Sequence, residues 1–202
     1  MGISCAKMPL SEVHRSACIL VGGESRRMGQ NKAYLSFRGM PFILSLIALL
    51  KDTFHELFLV GKDFDLYGKL GIPFVQDRYR LQGAAVGVAS ALRAAQHEWL
   101  FVCAVDMPMI KLSMVSLLDR QISSASSRHL GIIPTIQGRL EPLCAFYHRR
   151  FLDVLDRELQ KERTPSINAL LRAHPIIELA VPQGLSESLT NVNTPQEYEE
   201  LL

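Results

Sequence analysis

The sequence predicts a single α/β domain in which a mostly parallel sheet carries helices on both faces. Short apolar runs recur along the chain and alternate with stretches of helical length, which is typical of strands buried on both sides. The chain has 202 residues, of which 48% are hydrophobic and 21% charged; this size and composition allow a substantial core. We expect the domain to span residues 16–202, after a flexible leader of residues 1–15.

The strands are predicted where short apolar runs end at glycine, proline or polar residues. These runs are residues 17–21, 57–60, 73–75, 99–105, 130–134, 143–147 and 176–181. The helices are predicted at residues 41–50, 83–96, 112–122, 151–161 and 166–172. Pro41 is expected at the first position of its helix. A last helix is predicted after Thr194, because Thr194, Pro195 and Glu197 match a capping box with proline at the first helical position.

Charge, hydropathy and cysteine content exclude several classes of protein. A net charge of +2 gives no reason to expect nucleic acid as a partner, and no apolar run is long enough to span a bilayer. Cys18, Cys103 and Cys144 lie in apolar runs, so we expect buried thiols rather than a zinc site or a disulfide framework. A cytoplasmic protein without membrane or nucleic-acid partners is therefore predicted.

A loop rich in glycine and cations follows the first predicted strand. Gly22 and Gly23 open it, and Arg26, Arg27 and Lys32 place three cations within seven positions. Glycine lets backbone N–H groups approach a polyphosphate closely, and arginine and lysine neutralise its charge. The spacing matches neither the P-loop nor the GxGxxG fingerprint of dinucleotide-binding domains. The segment as a whole therefore favours phosphate binding over a solvated basic turn.

Asp77 follows another predicted strand and precedes Gly83 and Gly87. Its carboxylate can bind the base or sugar of a nucleotide, and the two glycines allow the next helix to begin close to such a ligand. The same local pattern fits an aspartate that caps a turn or a helix. The sequence leaves these two interpretations open.

Asp106 follows the clearest central strand, and Pro108 prevents simple continuation of that strand. One carboxylate together with substrate phosphate oxygens is a usual way to hold Mg²⁺, so we interpret Asp106 as a metal ligand. Asn191 and Asn193 would point the same way in an extended segment, although their pattern alone favours ordinary loop residues. The six histidines are scattered and show no catalytic spacing, so we expect surface or packing roles for them.

Together these segments resemble the molybdenum cofactor guanylyltransferases, also called the molybdopterin-guanine dinucleotide biosynthesis protein A family. Residues 20–32 are similar to the nucleotide loop of the family and residues 77–87 to its second motif. Residues 106–108 are similar to its magnesium motif and residues 191–195 to its C-terminal motif. The four motifs occur in the family's order and span residues 17–195, which is nearly the whole chain.

The resemblance implies a Rossmann-like domain of the nucleotide-diphospho-sugar transferase type and a specific reaction. In that reaction the terminal phosphate of molybdenum-loaded molybdopterin attacks the α-phosphate of GTP. The products are molybdopterin guanine dinucleotide and pyrophosphate, and Mg²⁺ is the implied cofactor. The implied partners are GTP and molybdopterin, with transient contacts to cofactor-delivering proteins or apo-molybdoenzymes.

Residue by residue, the resemblance assigns nucleotide binding to positions in three of the motifs. These positions are Leu20, Val21, Gly22, Gly23, Lys32, Asp77, Gly83, Gly87 and Asp106. Leu20, Val21 and Gly22 would contact GTP through their backbone. Arg27, Lys32 and Asp106 would be catalytic, with Asp106 as the ligand of Mg²⁺. Asn191 and Asn193 would lie near the acceptor or the metal.

Two departures from the family motifs stand out: one removes a negative charge near the phosphates, and the other makes a turn less rigid and so bears on the choice of base. Asn31 stands where the family usually has aspartate, and residues 84–86 read Ala-Ala-Val where it usually has Pro-Leu-Ala. The sister cytidylyltransferases are the nearest rival, although the Gly22-Gly23 doublet resembles the guanylyl form. More distant candidates are a sugar-1-phosphate nucleotidyltransferase and a nucleotide-binding regulator without catalysis, and the retained Asp106 argues against the regulator.

Overall fold

A mixed sheet of eight strands organises the part of the chain that the computed structural model describes, residues 14–22, 31–77 and 79–202. A separate two-stranded hairpin precedes the first helix. In chain order the strands are β1 (Ser16–Leu20), β2 (Ser36–Phe37), β3 (Met40–Pro41), β4 (Glu56–Gly61), β5 (Phe74–Gln76), β6 (Trp99–Ala104), β7 (Gly131–Ile136), β8 (Arg139–Leu140), β9 (Cys144–His148) and β10 (Ile177–Ala180).

The helices connect the strands and cover the sheet. They are α1 (Phe42–Leu50), α2 (Phe64–Tyr67), α3 (Ala84–Ala94), α4 (Leu112–Asp119), α5 (Phe151–Leu159), α6 (Ile167–Arg172) and α7 (Pro195–Leu201). The predicted capping box at the start of α7 is confirmed, since Thr194 and Glu197 accept hydrogen bonds from each other's backbone N–H groups. None of the described helices is long and apolar enough to cross a bilayer.

The strand order across the sheet is β10-β7-β9-β6-β1-β4-β5, and β8 pairs with β7. The strands β6, β1, β4 and β5 are parallel, as is the pair of β7 and β10, but β9 runs antiparallel to both of its neighbours. The mostly parallel sheet is therefore confirmed. The reversal begins at Gln137 and Gly138, whose positive φ angles of 51° and 75° fit a two-residue hairpin turn between β7 and β8.

Side chains of the central strands alternate between two hydrophobic layers. In β1, Ala17 and Ile19 pack in the layer of α1 and α4, whereas Cys18 and Leu20 pack in the layer of α3, α5 and α6. Alternation of this kind is expected when both faces of a strand are covered. The prediction of helices on both faces is confirmed.

The predicted burial of three cysteines is also confirmed. Cys18, Cys103 and Cys144 are fully buried in the core. Burial raises the pKa of each thiol well above its usual range, because the thiolate would lose its hydration. These side chains are therefore packing residues and not nucleophiles.

The hairpin of β2 and β3 and the short helix α2 are absent from the sequence prediction. Pro41, expected at the first helical position, is instead the residue before α1, with an extended ψ of 142°. The physical reason is that Pro41 pairs with Ser36 in the hairpin, so its backbone cannot also be helical.

The strand order places a binding cleft at the carboxyl ends of β1 and β6. From β1 the chain continues through β4 and β5 on one side and then returns to β6 on the other side of β1. Connections that leave in opposite directions open a crevice between the two strands, where ligands of α/β proteins bind. The loop that contains Lys32 follows β1, and Asp106 follows β6.

Candidate active site

Three of the predicted site residues meet at the carboxyl ends of β1 and β6. The ammonium of Lys32 donates to Asn193 Oδ1 at 2.7 Å and lies 3.3 Å from Asp106 Oδ2. The side chains of Lys32 and Asp106 are 15% and 20% exposed, so they are half-buried at the edge of the sheet. The structure thus brings together three residues that the resemblance places at the substrates or the metal.

Local structure fixes each of the three residues. Lys32 begins a short 3-10 turn, which Asn31 caps by accepting from the Ala33 N–H at 3.0 Å. The carbonyl of Asp106 accepts from the Val192 N–H at 2.8 Å. This bond brings the segment before α7 to the end of β6 and so places Asn193 beside Lys32.

Asp106 has an unused oxygen that fits a metal ligand. Its Oδ1 is buried and has no hydrogen-bond partner among the described residues. A buried acceptor without a partner is costly, and a bound cation removes that cost. Within residues 14–22, 31–77 and 79–202, no three His, Cys, Asp or Glu side chains form a metal site by themselves. The arrangement suits Mg²⁺, which commonly takes one or two carboxylates and completes its shell with phosphates and water.

Asp77 has a structural role in the protein. Its Oδ1 accepts from the Tyr79 N–H at 3.0 Å and from Ser90 Oγ at 3.1 Å. The turn-capping interpretation of the sequence is thus confirmed, and the second bond ties the end of β5 to α3. Asp77 Oδ2 makes no hydrogen bond within the described part of the chain and stays a predicted contact for the nucleoside.

Gly83 and Gly87 allow α3 to begin close to the cleft. Gly83 precedes α3 with φ +123°, and a Cβ there would lie 3.0 Å from the Thr164 methyl group. A Cβ at Gly87 would lie 3.2 Å from Leu20 Cδ1. Gly87 therefore allows close packing of α3 on β1, and a direct contact of either glycine with a nucleotide stays a prediction.

The backbone of the first motif is partly used by the sheet. The carbonyl of Leu20 accepts from Val105, and the N–H of Val21 donates to Val60. These two groups serve strand pairing, and the predicted backbone contact of Leu20 and Val21 with GTP stays a prediction. Gly22 is exposed beyond the strand end and is available to a ligand. The predicted residues Gly23 and Arg27 lie outside the described residues.

Asn191 and Asn193 contact different groups around Asp106. Asn193 accepts from Lys32, whereas Asn191 Nδ2 lies 3.4 Å from Glu141 Oε2 and donates to it. Burial raises the pKa of Glu141, and the negative charge of Asp106 adds to this effect. Glu141 is therefore a second carboxylate of the site that the sequence prediction omits. The feature of the sequence that could have pointed to Glu141 is a glutamate within the apolar run of residues 140–147.

Tyr67 is another residue of the site that has no local signal in the sequence. Its hydroxyl lies 2.9 Å from Asn31 Nδ2 and 3.2 Å from Asn31 Oδ1, and it donates to the Val21 carbonyl at 3.4 Å. Burial raises the pKa of the phenol. Tyr67 thus joins α2 to both ends of the loop between β1 and Lys32.

Comparison with known proteins agrees with this geometry. Residues 17–179 match the family of the MobA-like NTP transferase domain. The chain belongs to this family. It is a nucleotidyltransferase by family, and the cluster of Lys32, Asp106 and Asn193 lies where its fold positions ligands.

Similar proteins cover nearly the whole MobA-like chain. A probable molybdenum cofactor guanylyltransferase of Clostridium perfringens is 31% identical over an alignment of 198 positions, which covers 94% of this chain and 97% of the relative. One of Carboxydothermus hydrogenoformans is 31% identical over 93% of this chain and 94% of its own. The molybdopterin-guanine dinucleotide biosynthesis protein A of Archaeoglobus fulgidus has the same fold, with a TM-score of 0.79 at 24% identity, covering 92% of this chain and 96% of its own.

Proposed function

We propose that this MobA-like protein transfers GMP from GTP to the terminal phosphate of molybdenum-molybdopterin, with Mg²⁺ as cofactor. An oxygen of the acceptor phosphate attacks the α-phosphorus of GTP, and the bond from that phosphorus to the β-phosphate oxygen breaks. Molybdopterin guanine dinucleotide forms and pyrophosphate leaves. The name of the relatives that are 31% identical over most of the chain supports the choice of GTP and molybdopterin.

The observation that carries this proposal is the cluster of Lys32, Asp106 and Asn193. The ammonium of Lys32 has three donors, of which two point to Asp106 and Asn193. A lysine placed at the strand ends in this way can neutralise a triphosphate. Asp106 Oδ1, which has no partner among the described residues, is the group that would hold Mg²⁺. When bound, Mg²⁺ offsets the repulsion between the two anionic substrates and stabilises the leaving pyrophosphate.

Direct transfer between the substrates needs no nucleophile from the protein. The three described cysteines are fully buried, which is consistent with attack by the acceptor phosphate itself. The task of the chain is then to hold two anions in line, and such positioning supplies a large part of the rate enhancement. Three free thiols in the core also suit a reducing compartment, so we place the reaction in the cytoplasm.

The decisive experiment measures pyrophosphate release from GTP, CTP, ATP and UTP with molybdenum-loaded molybdopterin. We expect release with GTP and Mg²⁺, loss of release in EDTA, and recovery when excess Mg²⁺ is added. Preference for CTP would favour the cytidylyl reaction instead. Release with a sugar phosphate but not with intact molybdopterin would contradict the acceptor. GTP binding without turnover on any acceptor would favour a non-catalytic regulator.

A further inference from the structure

Glu141 is held between two donors at the boundary of β8 and β9. Its Oε1 accepts from the Leu143 N–H at 3.2 Å, and its Oε2 accepts from Asn191 Nδ2 at 3.4 Å. Each carboxylate oxygen thus faces a different partner. One is fixed backbone, and the other is a side chain of the C-terminal motif.

The charge of Glu141 determines the orientation of the Asn191 amide. An ionised carboxylate only accepts hydrogen bonds, so Asn191 has to present its NH₂ group to Glu141. The carbonyl oxygen, Oδ1 of Asn191, is then directed away from Glu141. This Oδ1 has no hydrogen-bond partner among the residues that the structure describes.

Asn191 lies at the β9 side of the site, because its partner Glu141 comes just before β9. The neighbouring residues Val192 and Asn193 bind the carbonyl of Asp106 and the ammonium of Lys32. Glu141 leads into β9, which borders β6 on one side, whereas the nucleotide motifs follow β1 and β5 on the other. An acceptor that meets GTP at Asp106 therefore approaches from the side of Glu141 and Asn191.

We propose that Glu141 is a positioning residue that fixes the Asn191 amide, so that its carbonyl oxygen and not its NH₂ group faces the acceptor. This inference rests on the proposed function and deepens it. A pterin ring carries several N–H groups, and Asn191 Oδ1 accepts a hydrogen bond from one of them. The pair of Glu141 and Asn191 thereby selects an acceptor rich in donors.

The test uses E141Q, N191D and the double variant E141Q/N191D. Glutamine has one acceptor oxygen, which stays with the Leu143 N–H, so its NH₂ group faces Asn191 and turns that amide around. We expect kcat/KM for molybdopterin to fall about 10- to 100-fold in E141Q. The dissociation constant for GTP with Mg²⁺, measured by calorimetry, should change less than about twofold, since this pair lies on the acceptor side.

The double variant restores the orientation by reversing the hydrogen bond. The glutamine side chain at position 141 then donates to the new carboxylate at position 191, whose second oxygen faces the acceptor. We expect kcat/KM for the double variant to exceed that of N191D, in which two carboxylates repel each other, by about tenfold or more. Glu187→Gln, at an exposed glutamate paired with Lys111, is the matched control and should match the unchanged protein.

Several results would overturn the inference. These are normal kcat/KM in E141Q, losses that simply add in the double variant, or an equal loss of GTP affinity. If E141Q does not fold, as judged by circular dichroism, the comparison of N191D with the double variant decides. A failure of the proposed function can be distinguished from a failure of this inference. In the first case the unchanged protein itself releases no pyrophosphate with GTP and molybdopterin.

Discussion

The two ends of the adjacent strands β4, β1 and β6 differ in how their polar groups are paired. At their carboxyl ends, Lys32, Asp106 and Asn193 meet, and one buried oxygen of Asp106 has no partner among the described residues. At their amino ends, Ser16 donates to Glu56, and the same two side chains accept from the backbone of residues 96 and 97. The amino end satisfies its polar groups internally, whereas the carboxyl end keeps hydrogen-bonding capacity for a ligand.

Three histidines that are far apart in the sequence also lie close together at the amino ends. The ring centroids of His14 and His55 are 4.0 Å apart, and those of His14 and His97 are 5.5 Å apart. Loss of water around the ring lowers the pKa of His55, and repulsion from His14 and His97 lowers it further. This end therefore affects stability and its pH dependence, while the other end affects binding and turnover.

Among substitutions that test this difference between the two ends, Asp106→Asn should have the largest effect. Loss of the proposed anionic metal ligand should lower kcat by about 10²- to 10³-fold or more. The free energy of unfolding should change by no more than about 1–3 kcal/mol, because the ion pair is largely buried but Lys32 keeps its bond to Asn193. Pyrophosphate release and urea denaturation measure the two effects. A variant that unfolds easily yet turns over normally would reverse the assignment of the carboxyl end.

Gly83→Ala tests the start of α3, next to the cleft. Alanine at φ +123° is strained and its Cβ would crowd Thr164, so we expect a loss of about 1–3 kcal/mol in the free energy of unfolding. Gly184→Ala is the matched control, since no atom lies within 4 Å of its added Cβ. Equal stability of the two variants in urea would contradict the strained conformation at Gly83.

Tyr67→Phe and Asn31→Asp test the loop between β1 and Lys32, and we expect smaller effects from them. Removing the hydroxyl should cost about 1 kcal/mol and raise KM for GTP a few-fold. In Asn31→Asp the hydroxyl can donate to the new carboxylate, and the cap on Ala33 is kept, so KM should stay within about twofold. A large rise in KM for Asn31→Asp would show that the missing negative charge matters in this chain.

His55→Gln should have the smallest effect, and it should appear only in acid. Because the pKa of His55 is lowered in the folded protein, the unfolded chain binds the proton more tightly. Stability is therefore fully present above the unfolded value of about 6.5 and declines as pH falls through the lower folded value. The free energy of unfolding, measured in urea, should fall less between pH 7.5 and pH 5.5 in His55→Gln than in the unchanged protein. His174→Gln, outside the cluster, should keep the original loss, and an identical loss in both would argue against the cluster.

The sequence locates the main strands in both halves of the sheet, but it does not indicate the reversed direction of β9 or the short strand β8. β1 and β6 are almost wholly apolar because both of their faces are covered, so composition alone locates them. Because parallel strands end together, the convergence of Lys32 and Asp106 follows from their positions after such strands. The direction of β9 does not follow from its apolar residues, since it depends on the turn at Gln137 and Gly138.

Site residues whose partners come from distant segments could not be predicted. Tyr67 reaches Asn31 across 36 positions and Asn191 reaches Glu141 across 50. Each contact depends on which strands are neighbours, and no local spacing encodes that order. Gly83 and Gly87 stand out in the sequence, but the structure requires glycine at them for different reasons. At Gly87 a side chain would crowd Leu20, and at Gly83 the backbone has a positive φ.

The bond between Lys32 and Asn193 spans 161 positions of the chain, and this has a consequence during synthesis on the ribosome. The strands of the sheet all precede residue 181, so the nascent sheet can pair before Asn193 leaves the exit tunnel. Until then Lys32 lacks one partner and Asp106 lacks its bond from Val192. The last described strand is therefore synthesised before Asn193, and the cluster at the carboxyl ends is the part of the domain that is completed last.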